Sequence, residues 1–423
     1  MFILTYATNR MKRSIMGCAA LAMLSLAFVL FLCVLHNTII QKEQQLDDVY
    51  NNLEVECVVS NLRGTQTDNL YIKDYIVSLF LSDEYYYQGK KQKIPFSSSV
   101  KDVRLKLSLK YEPLAEKDEV YIIDIRNASN LIGLTHLSTD STLTPENSIG
   151  ITYFGNYSEK LFLTNKPVCI VSSELYQTLP KDEKGTGYLR LAVGDSAQNK
   201  ELYAEQFLQV VGIYDGGGNN IYCPWEIIKE LSIKLTGMIQ ADSLSCIVNN
   251  NRQIDTFKEL LARYFTCVDN TGALTAFTAS DVLISYEYAI TVYDGNFNKT
   301  VSKIIDNIKT LKILQPFIIV IALGVGFLAS ILFVRNRKQE FAIMRSLGTK
   351  KGMVFSEALF EQLFLGLVGT ALGLIAYFLW NEFKIMPPWG ILGVYLLCYL
   401  TGSSFAVYRI TQVKVMSILR EKE

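Results

Sequence analysis

The residues with chemical reach are few and scattered. His36 and His136 are the two histidines and lie a hundred residues apart, which leaves no histidine cluster for zinc and makes a histidine-based triad unsuitable. The sequence contains no Gly-x-x-x-x-Gly-Lys-Ser/Thr segment, no paired catalytic carboxylates, no nucleophile elbow and no metal-ligand spacing. It therefore reads as no enzyme, with no metal site and no Walker-type ATP site. Asp215-Gly216-Gly217-Gly218 could cradle phosphate only if a helix followed directly; the strand-like Ile221-Tyr222 comes first, so the tip of a hairpin is expected. Cys18, Cys33 and Cys398 fall in apolar runs, whereas Cys57, Cys169, Cys223, Cys246 and Cys267 fall between them. An odd, scattered set is no disulfide framework. One bridge between Cys246 and Cys267 is admitted if their strands are neighbours, with buried free thiols as the alternative. Tyr85-Tyr86-Tyr87 reads as surface packing, and no nucleic-acid platform is inferred. What remains is a cluster of charge from Arg335 to Lys351 and a single Glu361 within an apolar run.

The elements that must position those charges are spanning helices. Half the residues are hydrophobic, 19% are charged and the mean hydropathy is +0.20, a balance suited to a membrane protein with a sizeable water-exposed part. Ile15 to Leu35 carries no charge and reaches about 31 Å as a helix, one hydrocarbon thickness. A cleaved signal peptide competes for this segment. The length of the apolar run and the absence of a small-residue cleavage site after it favour a retained anchor. Three further runs come late: Pro316 to Val334, Leu359 to Trp380 with only Glu361 charged, and Trp389 to Val407. The short connector between the last two implies an antiparallel helical hairpin.

Lys and Arg set the orientation. Thirteen lie in the N-terminal segment, the 335–352 loop and the C-terminal tail against three acidic residues, while 41–312 holds 27 basic against 35 acidic residues. The zero net charge is thus a chain polarised across a bilayer, with both termini cytoplasmic. The resulting order is a cytoplasmic segment (1–14), a first transmembrane helix (15–40), an extracytoplasmic domain (41–312), a second helix (313–335), a cytoplasmic loop (336–354), a third helix (355–380), a short external loop (381–388), a fourth helix (389–408) and a cytoplasmic tail (409–423). The expected fold class is an α-helical membrane protein with four transmembrane helices and a large α+β domain inserted between the first and second.

Within 41–312 the pattern is of strands and helices. Val103, Leu105, Leu107 and Leu109 alternate with polar residues, the mark of a strand with one buried face. Glu54–Val59, Tyr121–Ile125, Phe207–Tyr214 and Tyr286–Tyr293 are further candidates, and Cys246–Val248, Ile254–Tyr264 and Phe265–Val268 read as strand, helix, strand. From Asn298 apolar residues follow helical spacing and run past Ile313 into the second span, which predicts a near-continuous rod.

Arg337, Glu340, Ala342, Ile343, Arg345, Leu347 and Gly348 spell R-x-x-E-x-A-I-x-R-x-L-G. This resembles the run that ends the second helix of the FtsX/MacB-like ABC transporter permeases, the type VII or mechanotransmission class. Glu361 followed by Gly366, Gly369 and Gly373 resembles that family's glutamate and glycine ladder. Phe207–Ile213 with Ile221–Pro224 resembles strands of MacB-like periplasmic core domains. The resemblance implies a bacterial plasma-membrane transport subunit, with ATP and Mg bound by a partner dimer of ABC ATP-binding subunits and no cofactor in this chain. It also implies a second permease copy or a paralogous permease beside it, surrounding membrane lipids, and export or extraction of a peptide, lipid or lipoprotein at the outer face. An FtsX-like signalling subunit that regulates a cell-wall hydrolase is the alternative.

The residues themselves support a docking reading for 337–348. Glu340 among basic residues, and the apolar Phe341, Ile343, Met344 and Leu347, suit a surface helix that seats a protein better than a loop bound only to lipid headgroups. Gly348 is expected to end that helix. Gly366, Gly369 and Gly373 fall within about 60° of one another on a helix, a smooth face for close packing or dimerisation. Glu361 is expected to pair with an arginine such as Arg345 or to snorkel.

Overall fold

Long single apolar stretches have one way to satisfy their backbone in lipid, the helix, and the chain takes it. The structure is a computed structural model describing residues 15–82, 84–87, 90–93, 96–113, 130–139, 150–179, 181, 186–193, 204–215, 219–268, 273–276, 285–336, 338–381 and 386–411. Its helices in chain order are α1 (Ile15–Asn52), α2 (Asp74–Ser82), α3 (Ser173–Thr178), α4 (Trp225–Thr236), α5 (Ile254–Tyr264), α6 (Gly295–Asn336), α7 (Lys338–Ser346), α8 (Lys351–Asn381) and α9 (Trp389–Thr411). Contacts divide the chain into two units, one of residues up to Val49 together with Lys299 onward, the other Tyr50–Asn298.

The first unit is helical. Helix α1 continues a dozen residues beyond the expected end at 40, because Gln41-Lys42-Glu43-Gln44-Gln45-Leu46 are all good helix formers and no Gly or Pro follows before Asn52. Helix α6 begins at Gly295 and runs through Pro316, whose ring removes one bond to the carbonyl four residues earlier without ending the helix. The expected rod is therefore a single helix. Cys18–Asn52, Lys351–Trp380 and Trp389–Tyr408 are long and apolar enough to cross a membrane. The fourth expected span is helical as the C-terminal half of α6, but several of its side chains lie outside the described residues and it is not among those three. Val29, Leu32 and Cys33 of α1, Ile318 and Ala322 of α6, Tyr377 of α8 and Tyr395 of α9 form one buried cluster. An ion pair, Lys312 Nζ to Glu43 Oε1 at 2.7 Å, joins α6 to α1.

The second unit is α+β. Its strands are β1 (Glu56–Asn61), β2 (Ile72–Lys73), β3 (Glu84–Tyr87), β4 (Lys90–Lys93), β5 (Val100–Pro113), β6 (Asn130–Leu134), β7 (Ile151–Tyr153), β8 (Val168–Ser172), β9 (Tyr188–Val193), β10 (Ala204–Tyr214), β11 (Ile221–Pro224), β12 (Gln240–Ala241), β13 (Ser243–Val248), β14 (Phe265–Val268), β15 (Leu274–Ala276) and β16 (Ser285–Val292). Twelve of them form one mixed sheet in the order β15-β14-β16-β1-β13-β5-β6-β11-β8-β10-β7, with β9 bridging β10 and β5. Leu105 and Leu107 are buried, as the alternation in β5 requires. The expected strand, helix and strand at 246–268 are β13, α5 and β14. The expected strand at Tyr121–Ile125 lies outside the described residues.

One expectation fails here and one open alternative closes, both because sequence neighbours need not pair. Strands β10 and β11 form no hairpin: β8 lies between them, parallel to β10 and antiparallel to β11. Likewise β13 and β14 are separated by β1 and β16, about 14 Å at the usual strand spacing, so Cys246 and Cys267 are too far apart to bridge. Both are free. The residue across from Cys246 is Cys57 on β1.

Candidate functional site

The charged loop folds as α7 because its charges suit a helix: Glu340 lies in the first turn and Arg345 in the last, each complementing the helix dipole. The helix ends as expected. Gly348 adopts φ +92°, its N–H donates to Arg345 O at 3.2 Å and that of Thr349 donates to Met344 O at 3.1 Å. This is the paired bonding of a Schellman motif, which needs a residue free to enter the left-handed region.

The apolar residues of α7 divide between two environments. Phe341 is 7% exposed and sits among Cys18 and Leu21 of α1, Val354, Ala358 and Leu365 of α8 and Val407 of α9, with Met344 partly buried against them. Ile343 and Leu347 are 54% and 81% exposed. Phe341, expected on the docking face, is therefore the anchor that fixes α7 to the bundle. The face left open carries Ile343, Leu347 and the exposed Glu340, with Arg345 half-buried. Arg337 lies outside the described residues.

The glycine ladder of α8 is filled from within the chain. A Cβ on Gly369 would stand 2.4 Å from Ala22 O and 2.7 Å from Ser25 Cβ of α1; one on Gly373 would stand 3.1 Å from Leu26 O and Val29. On Gly366 it would meet the Tyr399 ring of α9 at 2.7 Å. These glycines admit neighbouring helices of the same chain, so that face is not available as a dimer seam.

Beside the ladder runs a polar seam that sequence reasoning missed. Ser25 Oγ donates to Gly366 O at 3.1 Å and lies 3.5 Å from Thr370 Oγ1, while Tyr395 Oη donates to Ser25 Oγ at 3.2 Å. Ser330 Oγ of α6 and Tyr399 Oη both donate to Gln362 Oε1 at 3.3 Å; Gln362 Nε2 has no hydrogen-bond partner among the described residues. All four long helices contribute. Ser25 as the lone polar interruption of its run, and Gln362 beside Glu361, were the available signals. Glu361 is 2% exposed, so it is held inside the bundle and does not snorkel.

Long apolar helices laced by buried polar contacts, with a short helix capped at Gly348, make up a core suited to a membrane. Residues 316–415 match the family model of the FtsX-like permease C-terminal domain. No curated protein matches the chain. Among solved structures, the extracellular domain of the ABC-type transporter YknZ from Gram-positive bacteria is similar at 12% identity and a TM-score of 0.27, over 49% of this chain and 91% of that one. The periplasmic region of MacB from Actinobacillus actinomycetemcomitans is similar at 14% identity and a TM-score of 0.28, over 60% of this chain and 94% of that one. TM-scores of this size do not establish a shared arrangement.

Proposed function

We propose that this chain is the permease subunit of an ABC transporter and couples ATP hydrolysis on a separate ATPase to motion of its α+β unit outside the membrane. The observation that carries the proposal is the FtsX-like permease match at 316–415, which spans α7. On this reading the chain crosses the membrane four times with both termini cytoplasmic. The open face of α7, with Glu340, Ile343, Arg345 and Leu347, seats the ATP-binding dimer, and Phe341 passes its displacement into the bundle. Helices α1 and α6 carry the motion outward, since each continues unbroken beyond its apolar segment. A second permease, identical or paralogous, completes the assembly, and the cargo is a peptide, lipid or lipoprotein taken up at the outer face. ATP and Mg belong to the partner.

The test uses full-length chain in native membranes. A cysteine-reactive cross-linker on a Leu347→Cys variant should capture a protein with a Walker A motif, with a yield that changes when ATP is added. The same reagent on Leu163→Cys, an exposed position of the α+β unit, should not. Membrane-impermeant maleimide applied to intact cells should label Leu163→Cys and spare Leu347→Cys. Unchanged ATPase co-purification after Leu347→Asp with Glu340→Arg would remove the docking role.

A further inference from the structure

Cys57 and Cys246 face each other across adjacent antiparallel strands, and both are fully buried. The pair type follows from the ladder. Val248 N donates to Val55 O at 2.9 Å, and pair types alternate along an antiparallel ladder. Cys57 and Cys246, two residues further on, are therefore also a hydrogen-bonded pair, with Cα atoms about 5.5 Å apart. That separation lies inside the window of about 4.4–6.8 Å spanned by the Cα atoms of disulfide-linked cysteines. Directly opposite residues also project from the same face of the sheet, and the Cys57 thiol is raised above its ordinary range by its interaction with Cys246 and then by burial. For Cys169 and Cys223 burial is the leading cause of the rise.

We propose that Cys57 and Cys246 are joined by a disulfide that staples β1 to β13. Both sulfurs are thiols in the structure, the reactants this step requires. A disulfide outside the membrane, small-molecule or protein-borne, supplies the oxidant. One cysteine thiolate attacks it, forming a mixed disulfide and releasing one oxidant sulfur as a thiol; the second cysteine thiolate then displaces the other. Two cysteine protons pass to the two released thiols, the oxidant is reduced by two electrons, and the Cys57–Cys246 bond is formed. The exchange belongs to folding, before β1 seats in the sheet, because a buried thiol with a raised pKa is a poor nucleophile. The bond would close most of the α+β unit into one loop, the arrangement that most restricts an unfolded chain. It would also tie down β1, the strand that follows α1 in the chain, against load along that helix.

The inference rests on the proposed extracytoplasmic placement of the α+β unit, and the two fail separately in one experiment. Full-length protein in native membranes is denatured in excess alkylating reagent without reductant and digested with trypsin. Cys57, Cys246 and Cys267 then fall on three peptides, 43–63, 235–252 and 264–299. The expected result is a linked 43–63/235–252 species that dominates over the alkylated forms, disappears on reduction, and persists in a Cys267→Ser variant. Alkylated Cys57 and Cys246, or a link from either to Cys267, overturns the disulfide. Impermeant labelling of Leu163→Cys in the same cells reports placement independently: labelled protein with free Cys57 and Cys246 refutes the disulfide alone, and unlabelled protein with free thiols refutes both.

Discussion

The two units bury polar side chains by opposite means. In the helical unit the contacts run largely side chain to side chain between helices: Tyr395 to Ser25, Ser25 to Thr370, and Ser330 and Tyr399 to Gln362. In the α+β unit they run largely to backbone. Ser60 Oγ donates to Ala289 O, Ser232 Oγ to Met238 O and Asn251 Nδ2 to Leu53 O, while Asp242 Oδ2 accepts from Ser108 N and Ser172 Oγ from Leu175 N. Helices consume their own N–H and C=O groups internally, so a polar side chain inside a bundle turns to another side chain or to a carbonyl that accepts a second bond, as Gly366 O does from Ser25. Strand ends, bulges and turns leave backbone groups unpaired, and side chains complete them.

The sharpest way to break this comparison is at the ladder. Gly369→Leu drives a side chain into Ala22 O and Ser25, where backbone cannot yield. The helical unit should be lost, with little monodisperse protein recovered in detergent, a cost at or above about 3 kcal/mol. A normal elution profile and melting curve would mean that α1 does not sit on that face.

Phe341→Ala comes next. It removes the buried anchor of α7 and should cost about 3 kcal/mol, read as a lower melting temperature of the full chain. Leu347→Ala, on the open face of the same helix, should stay within about 0.5 kcal/mol of wild type. Gly348→Ala stands between them, at about 1 kcal/mol, because the added Cβ is strained at positive φ whatever space surrounds it.

The smallest expected effect probes the α+β unit through pH. Burial raises the Asp242 carboxyl above its ordinary value, aided by Asp68 and opposed by the hydrogen bond from Ser108 and by Lys106. The folded state therefore holds this proton more tightly than the unfolded chain. The stability gained from it is fully present below the unfolded pKa and is lost as pH rises through the higher folded value. Asn at this position keeps an acceptor for Ser108 N and cannot ionise. The melting temperature of Asp242→Asn relative to wild type should thus rise between about pH 4 and pH 7, and a flat or falling difference would show that the carboxylate is better served in place than its burial implies.

Much of the molecule was legible locally. The apolar runs, the alternation in β5, the strand-helix-strand from Ser243 to Val268 and the glycine that ends α7 follow from periodicity and from the φ freedom of glycine, which act within a few residues. Pairings across the sheet were not legible in this way. The run from Phe207 through the triple glycine to Tyr222 looked like a hairpin and is two strands parted by β8, and the cysteine opposite Cys246 is nearly two hundred residues away in sequence.

The sequence by itself determined the helices, their approximate lengths and the charge polarity, because hydrogen bonding in lipid and the siting of Lys and Arg are settled by composition over a single segment. Only the tertiary structure decided that Phe341 points inward while Leu347 points out, that the glycines of α8 receive α1 and α9, and that Ser25 meets Tyr395. A helical period says which residues share a face; which neighbour covers that face depends on how all four helices fill space together.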